Sequence, residues 1–147
     1  MKVVKSDLKF LDYKLTNFEY TASINEEENI EYEVTIETKL RKPKKISEPP
    51  IRGYLMRIDL ELKIRGKVGK RVPIKVKCAL SGIFSSEKLE EKEFVRLCAT
   101  SGVANLIIVA RSIIISFTSQ TGNKPIIVPL INLLETYKKS IEKDKKE

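Results

Sequence analysis

From Tyr54 to Arg65 the chain alternates without a break. Tyr54, Met56, Ile58, Leu60, Leu62 and Ile64 interleave with Leu55, Arg57, Asp59, Glu61, Lys63 and Arg65. A helix would scatter these two sets around its circumference. A strand sends successive side chains to opposite faces, so it sorts them into one dry face and one mostly wet face. A sheet covered on one side only is characteristically antiparallel.

Two more segments follow the same rule. In Ile30 to Arg41, the residues Ile30, Tyr32, Val34, Ile36, Thr38 and Leu40 oppose Glu31, Glu33, Thr35, Glu37, Lys39 and Arg41. In Val72 to Leu80, the residues Val72, Ile74, Val76, Cys78 and Leu80 point inward and Lys75 and Lys77 outward. An earlier strand is less regular. Leu11, Tyr13 and Leu15 hold odd positions, whereas Phe18, Tyr20, Ala22 and Ile24 hold even ones. The phase change near Thr16-Asn17 predicts a bulge or bend. Asn25-Glu-Glu-Glu-Asn29, Lys42-Pro-Lys-Lys-Ile-Ser-Glu-Pro-Pro50 and Gly66-Lys-Val-Gly69 have the chemistry of turns. The expectation is a four-stranded antiparallel meander.

The second half changes period. Ser85-Ser86-Glu-Lys-Leu-Glu90 reads as a capped helix start, and the helix is expected to run to about Thr118, where Gly122 and Pro125 stop it. Pro129 is expected to open a second helix, Leu130 to about Lys143, with lysines at its end as the helix dipole favours. The fold class is therefore α+β: an antiparallel sheet, then a long apolar helix and a short C-terminal helix. The 147 residues suit one domain, with a core of about 8–138 and a basic tail over 139–147.

Val103 to Phe117 is apolar on most sides, and Ser101, Asn105, Ser112, Ser116 and Ser119 form a narrow polar stripe. Such a helix is buried on more than one face. The sheet takes one face, and a second subunit is the economical occupant of the other. The β-branched run Ile113-Ile114-Ile115 is also compatible with a strand. Arg111 is costly inside an apolar helix unless paired, so it is expected to meet a carboxylate across a subunit interface or to reach water with its head.

Composition narrows the function. The chain has no histidine, which excludes a Ser–His–Asp triad, a Cys–His dyad and a histidine metal site. Cys78 and Cys98 are too few for a disulfide framework or a four-cysteine zinc site, and read as small buried hydrophobes. Glu87, Glu90, Glu91 and Glu93 sit at a helix start, where acids belong anyway. No glycine-rich phosphate loop is present. No enzyme, metal or cofactor is expected. The N-terminus lacks the apolar core of a secretory signal, and Val103 to Phe117 falls short of the ~20 residues that a bilayer needs. The expected location is cytoplasmic, without membrane insertion.

The formal net charge is +8, from 28 Lys+Arg against 20 Asp+Glu. That balance suits nucleic acid, an acidic membrane surface or an acidic partner. Arg57, Lys63, Arg65, Lys75 and Lys77 share the wet face of the sheet, but Tyr54 alternates to the other side. Bases would lack aromatic rings to stack on. A basic nucleic-acid-binding or adaptor domain is thus the alternative reading, not the favoured one.

The layout resembles the SecB export chaperone family, including its SecB-like relatives. Gly82-Ile83-Phe84 is similar to the Gly-Ile/Val-Phe that ends the family's fourth strand. Asn105-Leu-Ile-Ile-Val-Ala-Arg-Ser112 resembles the family's Asn-Ile-Leu-Phe-Pro-Tyr-Ala-Arg stretch, without its proline. Thr121-Gly122 ends that helix, and Pro129-Leu-Ile-Asn132-Leu133 resembles the Pro-x-x-Asn-Phe that opens the last one. Lys9-Phe-Leu-Asp-Tyr-Lys-Leu-Thr-Asn-Phe18 reads like the family's first strand. The likeness spans roughly residues 8 to 138.

The resemblance implies a chaperone that holds unfolded polypeptides in apolar grooves, assembled as a dimer of dimers. Clients would be exported preproteins or a dedicated antitoxin-type partner. The client-binding candidates are Tyr32, Val34, Ile126, Ile127, Leu130, Leu133, Leu134 and Tyr137, with Leu133 and Tyr137 first for the outer edge of the groove. The oligomer-interface candidates are Asn105, Ile108, Arg111, Ser112 and Ile115. Asn132 is expected to serve the start of the last helix. Lys75 and Lys77 stand where the family's docking face for the translocation ATPase SecA carries acids or apolar groups, so weak or absent SecA docking is expected.

Overall fold

The structure, a computed structural model, describes residues 1–23, 29–48 and 52–146. Ile24, the acidic turn that follows it and the Pro49-Pro50 pair lie outside the described residues. The elements are β1 (Lys9–Ala22), β2 (Glu31–Leu40), β3 (Lys44–Ile46), β4 (Gly53–Val68), β5 (Arg71–Ser86), α1 (Glu91–Leu97), α2 (Val103–Thr118) and α3 (Leu133–Lys146). A π-helical turn, Cys98–Gly102, joins α1 to α2.

The alternation is realised as read. Met56, Ile58, Leu60, Leu62 and Ile64 of β4, and Ile74, Val76, Cys78 and Leu80 of β5, are each at most 3% exposed. Their face is covered by α2, which lies against β4 and β5. Leu106, Ala110 and Ile114 of α2 are completely buried there. They recur every fourth residue, so they share one side of the helix. The Ile113-Ile114-Ile115 run is helical, because only that period puts Ile114 beneath the helix with Leu106 and Ala110. Gly82 sets how closely α2 approaches. A Cβ at Gly82 would stand 2.7 Å from Leu106 Cδ2.

The sheet is not a meander. The strand order is β1-β5-β4-β2, with β3 added beside β4. β1 crosses to the far edge and pairs with β5, and Ser23 N–H continues the pairing to the Pro73 carbonyl at 2.8 Å. The periodicity shows which residues face inward but not which strand lies beside which. The two longest regular strands take the central places, where each inward residue buries most apolar area. β1 carries two register breaks, at Phe10/Asp12 and Leu15/Asn17, and bulges are common at sheet edges. The second break is the bulge expected at Thr16, whose Oγ1 donates to the Ala79 carbonyl at 3.1 Å. Together the bulges put Phe10, Tyr13, Leu15, Phe18 and Tyr20 all opposite core-facing positions of β5.

Other boundaries move for local reasons. The proline-rich connector contains the extra strand β3. The β4–β5 turn is Gly69-Lys70 rather than Gly66 to Gly69, and Gly69 takes φ 60°, which suits a residue without a Cβ. Ser85 and Ser86 do not cap a helix. They end β5, paired to Leu55 and Tyr54, and the helix begins at Glu91. The last helix starts at Leu133, not Leu130. Asn132 Oδ1 accepts the Glu135 N–H at 3.1 Å, so the polar contact expected of Asn132 at the helix entry is that of a cap standing just before the helix. The basic tail is helical as far as Lys146.

The continuous helix Glu91–Thr118 spans 28 residues and is long and apolar enough to cross a membrane by length and composition. Its fully buried inner side against the sheet is that of a core helix.

Candidate functional site

Among the described residues, no strand or second helix covers the outer side of α2. Ser101, Asn105, Ile108, Ser112, Ile115 and Ser119 are all exposed along it, Ile108 at 56% and Ile115 at 38%. Their spacing of four, three, four, three and four is the seam spacing of paired helices. The polar members are turned onto their own backbone. Asn105 Nδ2 donates to the Ser101 carbonyl at 2.7 Å, and Ser112 Oγ to the Ile108 carbonyl at 3.0 Å. A surface whose hydrogen bonds are already made loses little on leaving water.

Two grooves flank this ridge. One, of about 250 Å³, is lined by Ile108, Arg111, Ser112 and Ile115 together with Ile127 and Val128 of the connector. The structure therefore brings together four of the five expected interface residues, with Asn105 further along the ridge. Arg111 is half-buried and its Nε donates to the Val128 carbonyl at 3.0 Å. It has a partner within its own chain, a backbone carbonyl rather than the carboxylate that the sequence suggested. The other groove, of about 500 Å³, runs between Tyr13 of β1 and Ile108, Ser112, Ser116 and Phe117 of α2. Sequence reasoning did not single out this β1 edge. Leu11, Tyr13 and Leu15 are 54%, 50% and 41% exposed. The alternation of apolar Leu11, Tyr13 and Leu15 on a strand expected at the sheet edge was the available signal.

The expected client residues do not form one groove. Ile126 is buried at 3% and serves the core, as does half-buried Val34. Ile127, Leu130 and Leu134 are 70%, 86% and 66% exposed and lie within eight residues of chain. Leu133 and Tyr137 are half-buried on the inner side of α3, so they are not the outer edge. Tyr137 donates its hydroxyl hydrogen to the Ala99 carbonyl at 2.7 Å, and Thr38 of β2 reaches the same hydroxyl. Tyr32 lies six steps along β2 from Thr38, roughly 20 Å away at about 3.4 Å per residue, so it is not beside Tyr137. Burial holds the phenols of both Tyr32 and Tyr137 above their ordinary range, which keeps them neutral donors.

Burial pushes the Cys78 thiol up to about 11 and Cys98 to about 12, so both are protonated and unreactive. Among the described residues no group of three His, Cys, Asp or Glu side chains could hold a metal ion.

No protein-family model matches the chain, and no curated protein matches it in sequence. Its fold does match solved structures. The SecB-like chaperone Rv1957 of Mycobacterium tuberculosis, in complex with a ChAD peptide from the HigA1 antitoxin, superposes with a TM-score of 0.60 at 17% identity, covering 85% of this chain and 91% of that one. A protein of unknown function from Streptococcus agalactiae matches with a TM-score of 0.47 at 12% identity, over 84% of this chain and 97% of the other. The chain has the SecB-like fold: an antiparallel sheet, a long helix across one face and a short helix at the end.

Proposed function

We propose that this protein is a SecB-like chaperone that holds non-native polypeptide segments and works as a homo-oligomer. One observation carries the reading: Ile127, Leu130 and Leu134 stand in water on a short stretch of connector and helix. Leaving such a side chain exposed forgoes about 1.5–3 kcal/mol. Three of them together suit a ligand that brings its own apolar groups and has no fixed shape. An unfolded segment is such a ligand, and many weak contacts along it add up. The likeness to a chaperone bound to an antitoxin peptide favours a dedicated antitoxin-type client over general export. Lys75 and Lys77 make the sheet face basic, which disfavours SecA docking. The ridge of α2 and the apolar edge of β1 are the surfaces for self-association, and the proposed location is cytoplasmic.

The test is suppression of aggregation of a reduced, unfolded model protein, with the Leu130→Ser/Leu134→Ser double variant beside the parent. The proposal expects the parent to suppress aggregation near stoichiometric ratio and the variant to lose most of this while melting within about 2 °C of it. A parent without suppression, or a variant that suppresses equally well, would overturn it.

A further inference from the structure

The face of the sheet opposite α2 holds an unusual arrangement of charge. Lys77 lies directly across from Lys63, and Lys75 directly across from Arg65, on neighbouring strands β5 and β4. Four cations thus form a rectangle, with rows about 4.8 Å wide and about 6.8 Å apart along the strands. Like charges directly opposite each other destabilise a sheet. The rectangle lines a shallow groove of about 440 Å³ that also contains Glu19 of β1. No helix covers this face among the described residues.

The neutralisation is uneven. Glu61 lies 3.0 Å from Lys63 and 3.9 Å from Lys77, so it serves one row. Neighbouring Lys67 is paired with Glu33. Among the described residues Arg65 and Lys75 have no ion pair, and both are exposed. In the second row Arg65 faces Glu33 of β2, whose carboxylate is held by Lys67, and Lys75 faces the neutral Thr21 of β1, so this row carries less direct neutralisation.

We infer that this groove docks an extended acidic peptide segment of a partner protein, with a side-chain carboxylate on Arg65 and Lys75. Arg65 and Lys75 stand directly across from each other, about 4.8 Å apart, so one peptide carboxylate can sit between their two head groups. The planar guanidinium of Arg65 can take a carboxylate through two parallel hydrogen bonds. A nucleic-acid strand fits worse. Its unbroken line of phosphates would meet Glu19 and Glu61, and the expected aromatic platform is missing, since Tyr54 faces the helices. A peptide can place a neutral or basic residue beside those acids. This surface is separate from the apolar one, so its test does not depend on chaperone activity.

Fluorescence anisotropy of a short fluorescein-labelled peptide of alternating Glu and Thr, titrated with the full chain at low salt, tests the inference. Saturable binding is expected, weakened about tenfold or more on going from ~0.05 M to ~0.5 M salt. Arg65→Glu/Lys75→Glu should abolish it. Arg65→Thr/Lys75→Thr, which keeps good strand formers at both positions, should weaken it about tenfold. Lys88→Glu/Lys138→Glu makes the same change in net charge elsewhere and should leave binding unchanged. Equal loss in that control, no binding by the parent, or displacement of the peptide by an oligothymidylate that binds more tightly would each overturn the inference.

Discussion

Tyr137 on the last helix hydrogen-bonds to Ala99 in the π-helical turn, 2.7 Å from hydroxyl to carbonyl. A π turn shifts the helical hydrogen-bond ladder and often accompanies function. Here it presents a carbonyl that holds α3, a helix with no fully buried residue of its own. Leu134 on α3, and Leu130 just before it, are therefore displayed on a segment anchored largely through Tyr137 and Leu133.

Removing that hydroxyl should loosen the display without unfolding the domain. Tyr137→Phe is expected to cost about 0.5–1.5 kcal/mol locally. Hydrogen exchange should quicken over residues 133–146 and stay unchanged in β4 and β5. Equal acceleration in the sheet would show that α3 is part of the global folding unit.

Two isoleucines on α2 should separate assembly from folding. Ile108 is 56% exposed and Ile114 completely buried. Ile108→Glu should yield a folded protein of lower mass by light scattering. Ile114→Asp should unfold the chain, because an unpaired buried charge costs several kcal/mol. A stable monomer for the unaltered protein at micromolar concentration would dismiss self-association.

Thr118 pins the connector to the end of α2. Its buried hydroxyl donates to the Ile114 carbonyl at 2.7 Å and accepts the Ile126 N–H at 2.9 Å. Thr118→Val keeps the shape and strands that N–H, at a cost of about 1–3 kcal/mol. The melting temperature should fall by roughly 2–12 °C for a domain of this size. A smaller fall would mean that the connector finds another partner.

Asp59 gives the fold an acid-sensitive contact. Partial burial raises its pKa, but hydrogen bonds from Arg41, Ser81 and Arg57 outweigh that and hold it below the ordinary value. Arg41 lies 2.8 Å and Arg57 3.2 Å from Oδ2. A lowered folded-state pKa stabilises the fold above the unfolded value near 4, and the contribution is lost as pH falls through the folded value. Denaturation from pH 7 down to about 3 should therefore show a weaker acid-induced loss of stability in Asp59→Asn than in the parent. Parallel curves would show that the cluster contributes nothing to acid sensitivity.

Side-chain periods are local properties, so the sequence alone was enough for them, whereas helix starts moved: Ser85 and Ser86 ended a strand and the last helix began at Leu133. The inward faces of β2, β4 and β5, the bulge at Thr16 and the helical stop at Thr118 each follow from residues a few positions apart. Side-chain direction within a strand or helix is determined by backbone geometry, whatever lies beyond. The resemblance drawn from segment order agreed with the observed fold for the same reason, since elements keep their order however they pack.

What the sequence could not decide was which segments become neighbours. That depends on burial summed over the whole chain. It placed β1 at the far edge beside β5, turned Arg111 to the Val128 carbonyl, and divided one amphipathic stripe into Leu133 and Tyr137 inside and Leu130 and Leu134 outside. The same pairing set Lys75 against Arg65. Each residue reads as an ordinary outward cation on its own strand, and only the register of β4 with β5 makes them face each other.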